Sequence, residues 1–398
     1  MSLNETVSAE RVHIAFFGRR NAGKSSLVNA VTGQSLAVVS DVLGTTTDPV
    51  KKAMELLPIG PVMIIDTPGF DDEGELGEKR VAKTREILAK TDIAVLVVDA
   101  SVGLSSSEED FFAIVKEKNI PFITVYNKAD LCEKFNVKDG EILVSAKQGD
   151  GVNALKEMLG TLAKTRQNTR KIVGDLIGRG DTVVLVTPID ESAPKGRLIL
   201  PQQQTIRDIL DHNASAVVCQ VEELSGVLCA LAKPPKMVIT DSQAFGRVSK
   251  IVPQDIPLTS FSILFARYKG SLESQVKGAA QIGKLCDGDR ILIAEGCTHH
   301  RQCGDIGTVK MPKWISDFSG AEIDFDFTSG GEFPTDLSRY KLVVHCGGCM
   351  LNEAEMTSRV KTAKAANVPV VNYGVAIAHM NGILKRSLEL FPDISKLL

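Results

Sequence analysis

The stretch Gly18-Arg19-Arg20-Asn21-Ala22-Gly23-Lys24-Ser25 fits the pattern GxxxxGK(S/T) in full. An apolar run, Val12–Phe17, leads into it, and a helical pattern, Lys24–Val31, leads out. Strand, glycine loop, helix is the context in which this pattern cradles phosphate. Gly18 and Gly23 let backbone N–H groups turn inward onto phosphates at the positive end of a helix. Lys24 is placed to bridge the β- and γ-phosphates and Ser25 to hold Mg2+. Ala22 and Ser26 belong to the same phosphate-binding set.

Three further motifs follow in order, each at the end of an apolar run. Asp66-Thr67-Pro68-Gly69 ends Val62–Asp66. There Asp66 can reach the Mg2+ shell, and the Gly69 amide can sense the γ-phosphate. Asn127-Lys128-Ala129-Asp130 ends Phe122–Asn127. A carboxylate at Asp130 accepts two hydrogen bonds from the N1–H and 2-amino group of guanine, a donor pair that adenine lacks. Ser145-Ala146-Lys147 ends Ile142–Ser145 and offers a backbone amide to guanine O6. Between the first two motifs lies Gly44-Thr45-Thr46-Thr47-Asp48-Pro49, read as a switch segment. Thr46 is the expected Mg2+ contact, with Thr45 second; an ordinary Gly/Pro loop is the alternative. These residues together imply a GTP site that uses Mg2+.

Working outward, the strands alternate with helical patterns at Lys79–Lys90 and Glu108–Glu117, and the longest apolar run is Ile93–Val98. This predicts a doubly wound α/β domain over residues 1–168. The polar, basic stretch Lys164–Lys171 marks its end. A second α/β unit, 169–268, carries strands Thr182–Val186, Ala216–Gln220, Met237–Thr240 and Phe261–Phe265. Its helices are expected over Gln202–Asp211, Glu222–Leu231 and Gln243–Ile251. It has no phosphate loop and reads as a structural or dimerisation domain. A third, 269–398, carries strands Arg290–Glu295, Lys341–His345 and Val368–Asn372. Helices are expected over Glu353–Ala366 and Ile377–Glu389. The fold class is α/β: a P-loop domain followed by two smaller α/β domains.

Of eight cysteines, five (Cys286, Cys297, Cys303, Cys346, Cys349) fall in the last third. In a reducing compartment such clustering points to metal or redox chemistry. Cys297-Thr298-His299 follows strand Arg290–Glu295, and His345-Cys346-Gly347-Gly348-Cys349 follows strand Lys341–His345. Both sit at strand C-terminal ends, where parallel sheets place ligands. Three thiolates and two imidazoles suit a structural zinc or an iron–sulfur cluster; no metal at all is the third reading. Cys303 reads as a fourth thiolate or a free loop thiol. Cys132, Cys219, Cys229 and Cys286 read as buried apolar residues. His13, His212 and His379 read as locally structural.

Composition bounds the function classes. Hydrophobic residues at 43% and charged residues at 24% suit soluble globular domains. A net charge of −3 counts against broad nucleic-acid binding, which needs basic surface. No apolar run approaches the ~18–20 residues that span a bilayer. The opening MSLNETVSAE lacks a basic segment before an apolar one, so no secretory signal is expected and the compartment is read as cytoplasmic, with neither nucleic acid nor membrane as partner.

The nucleotide motifs resemble those of the translation-factor-like GTPases, in the branch with tRNA-modifying and ribosome-assembly members. The resemblance implies that Asn21 helps hold a K+ ion between nucleotide and switch, where other GTPases use an arginine. Asn21 as a plain turn residue is the alternative. Apolar Phe70 stands where Ras-like proteins carry a water-orienting glutamine, which implies slow intrinsic hydrolysis. Taken with Gly296-Cys297-Thr298-His299 and His345-Cys346-Gly347-Gly348-Cys349, the whole chain resembles the [FeFe]-hydrogenase maturation GTPases. That implies a [4Fe–4S] cluster on Cys297, Cys346 and Cys349, with His299 and His345 near an open iron as exchangeable ligands or hydrogen-bonding neighbours. It also implies a homodimeric scaffold that receives a di-iron precursor from radical-SAM maturases and passes it to apo-[FeFe]-hydrogenase. Two other classes stay open: an RNA-modifying or ribosome-assembly GTPase with a structural zinc, and an Fe–S redox enzyme.

Overall fold

Ile93–Asp99 is apolar at six consecutive positions and too short for a core helix, so it forms a strand covered on both faces. It lies near the middle of the first sheet in the computed structural model, which describes residues 10–34, 49–69, 83–132, 135–165, 170–188, 198–296, 305–348 and 351–398. The first sheet comprises β1 (Val12–Phe17), β2 (Val50–Leu56), β3 (Gly60–Asp66), β4 (Ile93–Asp99), β5 (Phe122–Asn127) and β6 (Glu141–Leu143). Their order is β2-β3-β1-β4-β5-β6, parallel except for β2, which runs antiparallel to β3. Alternation along β1 sends Ile14 and Phe16 into one apolar core and Ala15 and Phe17 into another. Each Phe buried this way contributes about 1.5–3 kcal/mol of transfer free energy.

The chain divides into two compact units, Met1–Gln167 with Asn352–Ser358, and Asn168–Leu351 with Arg359–Leu398. The second unit holds two parallel four-stranded sheets. One comprises β7 (Thr182–Val186), β8 (Ser215–Cys219), β9 (Met237–Thr240) and β10 (Leu258–Ser260), in the order β10-β9-β7-β8. The other comprises β11 (Arg290–Ala294), β12 (Asp324–Thr328), β13 (Leu342–His345) and β14 (Val370–Asn372), in the order β12-β11-β13-β14. Val183 and Leu185 of the first and Ile291 and Ile293 of the second share one apolar core with helix Leu272–Ile282 between them in sequence.

Several expectations need correction. Phe261–Phe265 is not a strand: β10 ends at Ser260, and Phe261–Tyr268 is a helix. The Ser260 hydroxyl caps it by accepting the Ile263 N–H at 3.3 Å. A run as apolar as Phe261–Ala266 has no periodicity to separate strand from helix. The helix expected over Ile377–Glu389 is broken into Tyr373–Met380 and Leu384–Ser387. Gly382, at φ +70°, turns the chain between them. β2, β12 and helices Leu272–Ile282 and Met311–Ser319 were not anticipated. Of the helix expected over Lys79–Lys90, residues 83–88 are helical and 79–82 lie outside the described residues.

Candidate functional site

The phosphate loop connects β1 to helix Lys24–Thr32. Lys24 is buried, and its Nζ donates to the carbonyls of Gly18 at 2.9 Å and Arg19 at 2.7 Å. The ammonium is thus held over the loop, where phosphate oxygens would arrive. Gly23 has φ +87°, and a Cβ there would lie 2.2 Å from Asn127 Nδ2. Asn21 also takes a left-handed conformation, at φ 57°. Ser26 lies in the helix's first turn.

Ser25 donates to Asp66 Oδ2 at 2.7 Å. Asp66 Oδ1 is buried and has no hydrogen-bond partner among the described residues. Burial raises the Asp66 pKa, opposed by the Ser25 hydrogen bond and by Lys24. A hydroxyl and a carboxylate this close, with one oxygen orphaned, fit Mg2+ and its water shell. Thr67 after Asp66 donates to Phe16 O at 2.7 Å, which ties the motif to β1, and Gly69 follows. Thr45, Thr46 and Phe70 lie outside the described residues.

At the guanine end Asn127 joins two loops. Its Nδ2 donates to Ala22 O at 3.0 Å, and its Oδ1 accepts the Ala146 N–H at 3.0 Å. The Ser145 hydroxyl donates to Asp130 Oδ1 at 2.7 Å, and this bond holds the Asp130 carboxyl below the usual range. Asp130 is half-buried and remains an anion that accepts from donors. Lys128, at φ 67°, donates to Asp99 Oδ2 at 2.6 Å, and Lys147 follows in the next loop.

At the nucleotide site the roles of Arg19 and Glu108 escaped the sequence reading. Arg19 Nε donates to Glu108 Oε1 at 3.2 Å, and Glu108 Oε2 accepts the Ser105 N–H at 2.8 Å. Glu108 is fully buried and staples the phosphate loop to helix Ser106–Glu117. The signal was present as a Ser-x-x-Glu capping box at Ser105; its link to Arg19 was not.

The second candidate centre lies at the C-terminal ends of β11 and β13, which pair so that Ala294 opposes His345. Cys346 Sγ accepts the Gly296 N–H at 3.0 Å and the Gly348 N–H at 3.4 Å. Gly348 has φ 61°, the conformation that turns its amide back. A sulfur facing two N–H donors is the environment of a thiolate, so this half of the centre fits thiolate ligation of a metal group. Cys297, His299, Cys303 and Cys349 lie outside the described residues. Among the described residues no three metal-binding side chains converge.

His345 is 2% exposed, and burial pushes its pKa down to about 3. Its Nδ1 lies 2.8 Å from Cys346 O and its Nε2 3.0 Å from Arg359 Nη1. Beside Cys346, the Tyr373 hydroxyl donates to Glu295 Oε1 at 3.3 Å, and burial raises the Tyr373 pKa.

Cys229 and Cys286 are exposed, against the expectation that they are buried; Cys132 and Cys219 are half-buried. His13 Nδ1 meets Lys90 O at 3.1 Å and His212 Nδ1 meets Asp208 O at 2.7 Å, while His379 packs on Phe318. No described helix is long and apolar enough to cross a membrane.

Comparison with known proteins supplies the family. Residues 13–128 match the 50S ribosome-binding GTPase family. Residues 172–270 match the hydrogen maturase F dimerization domain, and residues 273–390 its tetramerization domain. Over 185 residues the chain is 36% identical to the tRNA modification GTPase MnmE of Thermoanaerobacter sp. (strain X514), covering 44% of this chain and 38% of that protein. Over 142 residues it is 34% identical to GTPase Der of Kosmotoga olearia, covering 34% of this chain and 31% of that one. The match therefore spans well under two thirds of either relative. The solved structure of a probable GTP-binding protein engB aligns with 39% of this chain and 100% of its own, at 26% identity and a TM-score of 0.32. With a GTPase domain followed in order by both maturase F domains, the chain belongs to the hydrogen maturase F family.

Proposed function

We propose that this chain is a GTP-hydrolysing scaffold of [FeFe]-hydrogenase maturation, with a [4Fe–4S] cluster on Cys297, Cys346 and Cys349. It takes a di-iron precursor from radical-SAM maturases and delivers it to apo-[FeFe]-hydrogenase. The observation that carries the reading is Cys346: its sulfur faces two backbone N–H groups in a glycine turn, in a chain that also carries a full guanine-nucleotide site. A cluster held by three thiolates leaves one iron with a position that an incoming ligand can take. The backbone amides of Gly296 and Gly348 would stabilise the anionic sulfur.

In the first unit, Lys24 would hold the phosphates and Ser25 and Asp66 would hold Mg2+, with Thr46 as the expected switch contact. Asp130 selects guanine. Asn21 would help hold K+, which would supply positive charge near the transferred phosphoryl group. Hydrolysis times partner release and leaves the cluster chemistry to the other unit. The maturase F dimerization and tetramerization domains support a homo-oligomer, with the homodimer as its basic form. The working compartment is the cytoplasm.

Single Cys→Ser changes at Cys297, Cys346 and Cys349 test the reading. Each is expected to remove most bound iron while GTP hydrolysis stays within about twofold, because remote sites act independently. Hydrolysis of the wild-type chain should run faster in K+ than in Na+ at equal ionic strength. Full iron retention in all three variants would falsify the cluster assignment, and equal rates in the two salts would remove Asn21 from the potassium role.

A further inference from the structure

Three consecutive carbonyls in the turn after β13 each meet a side-chain nitrogen. His345 Nδ1 lies 2.8 Å from Cys346 O. Lys269 Nζ donates to Gly347 O at 2.9 Å and to Gly348 O at 3.0 Å. The N–H groups of Gly296 and Gly348 are directed to Cys346 Sγ at 3.0 and 3.4 Å. The turn is therefore polarised, with carbonyls held by side chains and amides on the sulfur.

Arg359 decides which way the imidazole is protonated. A guanidinium has donors only, so its 3.0 Å contact makes His345 Nε2 the acceptor. The ring proton then sits on Nδ1, which donates to Cys346 O. Arg359 is itself buried and fixed: Nη2 donates to Gly330 O at 2.6 Å, and the guanidinium lies 5.1 Å over the Phe333 ring. With both ring nitrogens engaged, His345 acts on the turn's backbone, not as a donor to metal.

We propose that Lys269 and Arg359 are positioning residues of the cysteine turn: they hold its carbonyls outward, Arg359 through His345, so that backbone N–H groups stay on the Cys346 sulfur. This rests on the reading that Cys346 is a cluster thiolate. Hydrogen bonds to cluster sulfurs favour the reduced, more negative state and so raise the reduction potential. Removing a clamp lets the amides drift from the sulfur and moves the potential negative.

The test uses the full-length chain reconstituted anaerobically with iron and sulfide, and a redox titration followed by electron-spin resonance. Far-UV circular dichroism and the thermal unfolding of the second unit report folding. Arg359→Met and Lys269→Met should bind iron as wild type does but titrate at more negative potential. Arg359→Lys and Lys269→Arg should move back toward wild type. His345→Asn, whose amide N–H replaces Nδ1–H, should stay near wild type. If Arg359→Met fails to fold, Lys269→Met at its half-buried position carries the same comparison. Unchanged potentials in the Met variants overturn the proposal. So do conservative variants that shift as far as the Met ones, since that pattern belongs to packing alone. A wild-type chain that takes up no cluster overturns instead the cluster assignment beneath it.

Discussion

The nucleotide site and the cysteine turn both sit at the C-terminal ends of parallel strands, yet they are built differently. Lys24 is held by carbonyls five and six residues away, and Asp130 by a serine fifteen residues on. The cysteine turn leans on Lys269, which contacts carbonyls 78 and 79 residues away, and on Arg359 from a separate helix. Phosphate binding needs mainly backbone amides, which a short glycine pattern can arrange alone. A polarised thiolate turn also needs its carbonyls tied down, and those donors come from wherever the fold brings them.

The largest effect should come from the guanine end of the nucleotide site. Asp130→Asn places an amide donor against guanine's donors while the Ser145 contact can persist. GTP affinity should fall on the order of a hundredfold, as expected where a built hydrogen-bond pair is mismatched. Xanthosine triphosphate has a carbonyl where guanine has its amino group, so it should bind the variant better than the wild type. Titration calorimetry with both nucleotides checks this. Unchanged GTP affinity would remove Asp130 from base recognition.

How much could be read from sequence follows the same division. Val12–Phe17, Ile93–Asp99, Phe122–Asn127, Thr182–Val186 and Met237–Thr240 are strands with the bounds their apolar runs suggest. Each is short, buried and closed by a turn or motif. β2 escaped because Val50–Leu56 is an exposed antiparallel edge carrying Lys51 and Lys52. The helix Phe261–Tyr268 escaped because burial on most sides erases periodicity. The strand, loop and helix around Gly18–Ser25 were legible. The roles of Lys269 and Arg359 were not, since no local pattern links a lysine or an arginine to a carbonyl far along the chain.

An intermediate effect should come from the Arg19–Glu108 strut, which ties the phosphate loop to a helix 89 residues along the chain. Arg19→Ala leaves the fully buried Glu108 carboxylate with Ser105 as its remaining donor residue among the contacts described above. The loss should destabilise the first unit by about 1–3 kcal/mol, the cost of an undersatisfied buried group. GTP affinity should drop only severalfold, since the loop's amides remain. Urea unfolding followed in the first unit measures the former. If stability is unchanged but GTP binding collapses, Arg19 touches nucleotide directly and is not a strut.

The smallest effect, none, is expected for Cys286→Ser. Cys286 belongs by sequence to the same cluster of thiols as Cys297 and Cys346, so position along the chain cannot exclude it. The strand direction does. Cys286 lies in the turn before β11, where its N–H donates to Asp289 Oδ2 at 2.9 Å. Cys346 lies just past the C-terminal end of β13, parallel to β11. The five residues of β11 separate the two edges by about 16 Å at ~3.3 Å per residue. Thiolates of one cluster cannot span that length of sheet. Cys286 is also exposed, in a turn that lacks the amide-lined sulfur seen at Cys346. Iron content and reduction potential should therefore match wild type in Cys286→Ser, while Cys346→Ser loses both. Iron loss on replacing Cys286 would mean that the third sheet is not arranged as described, and the contrast between the two sites would fall with it.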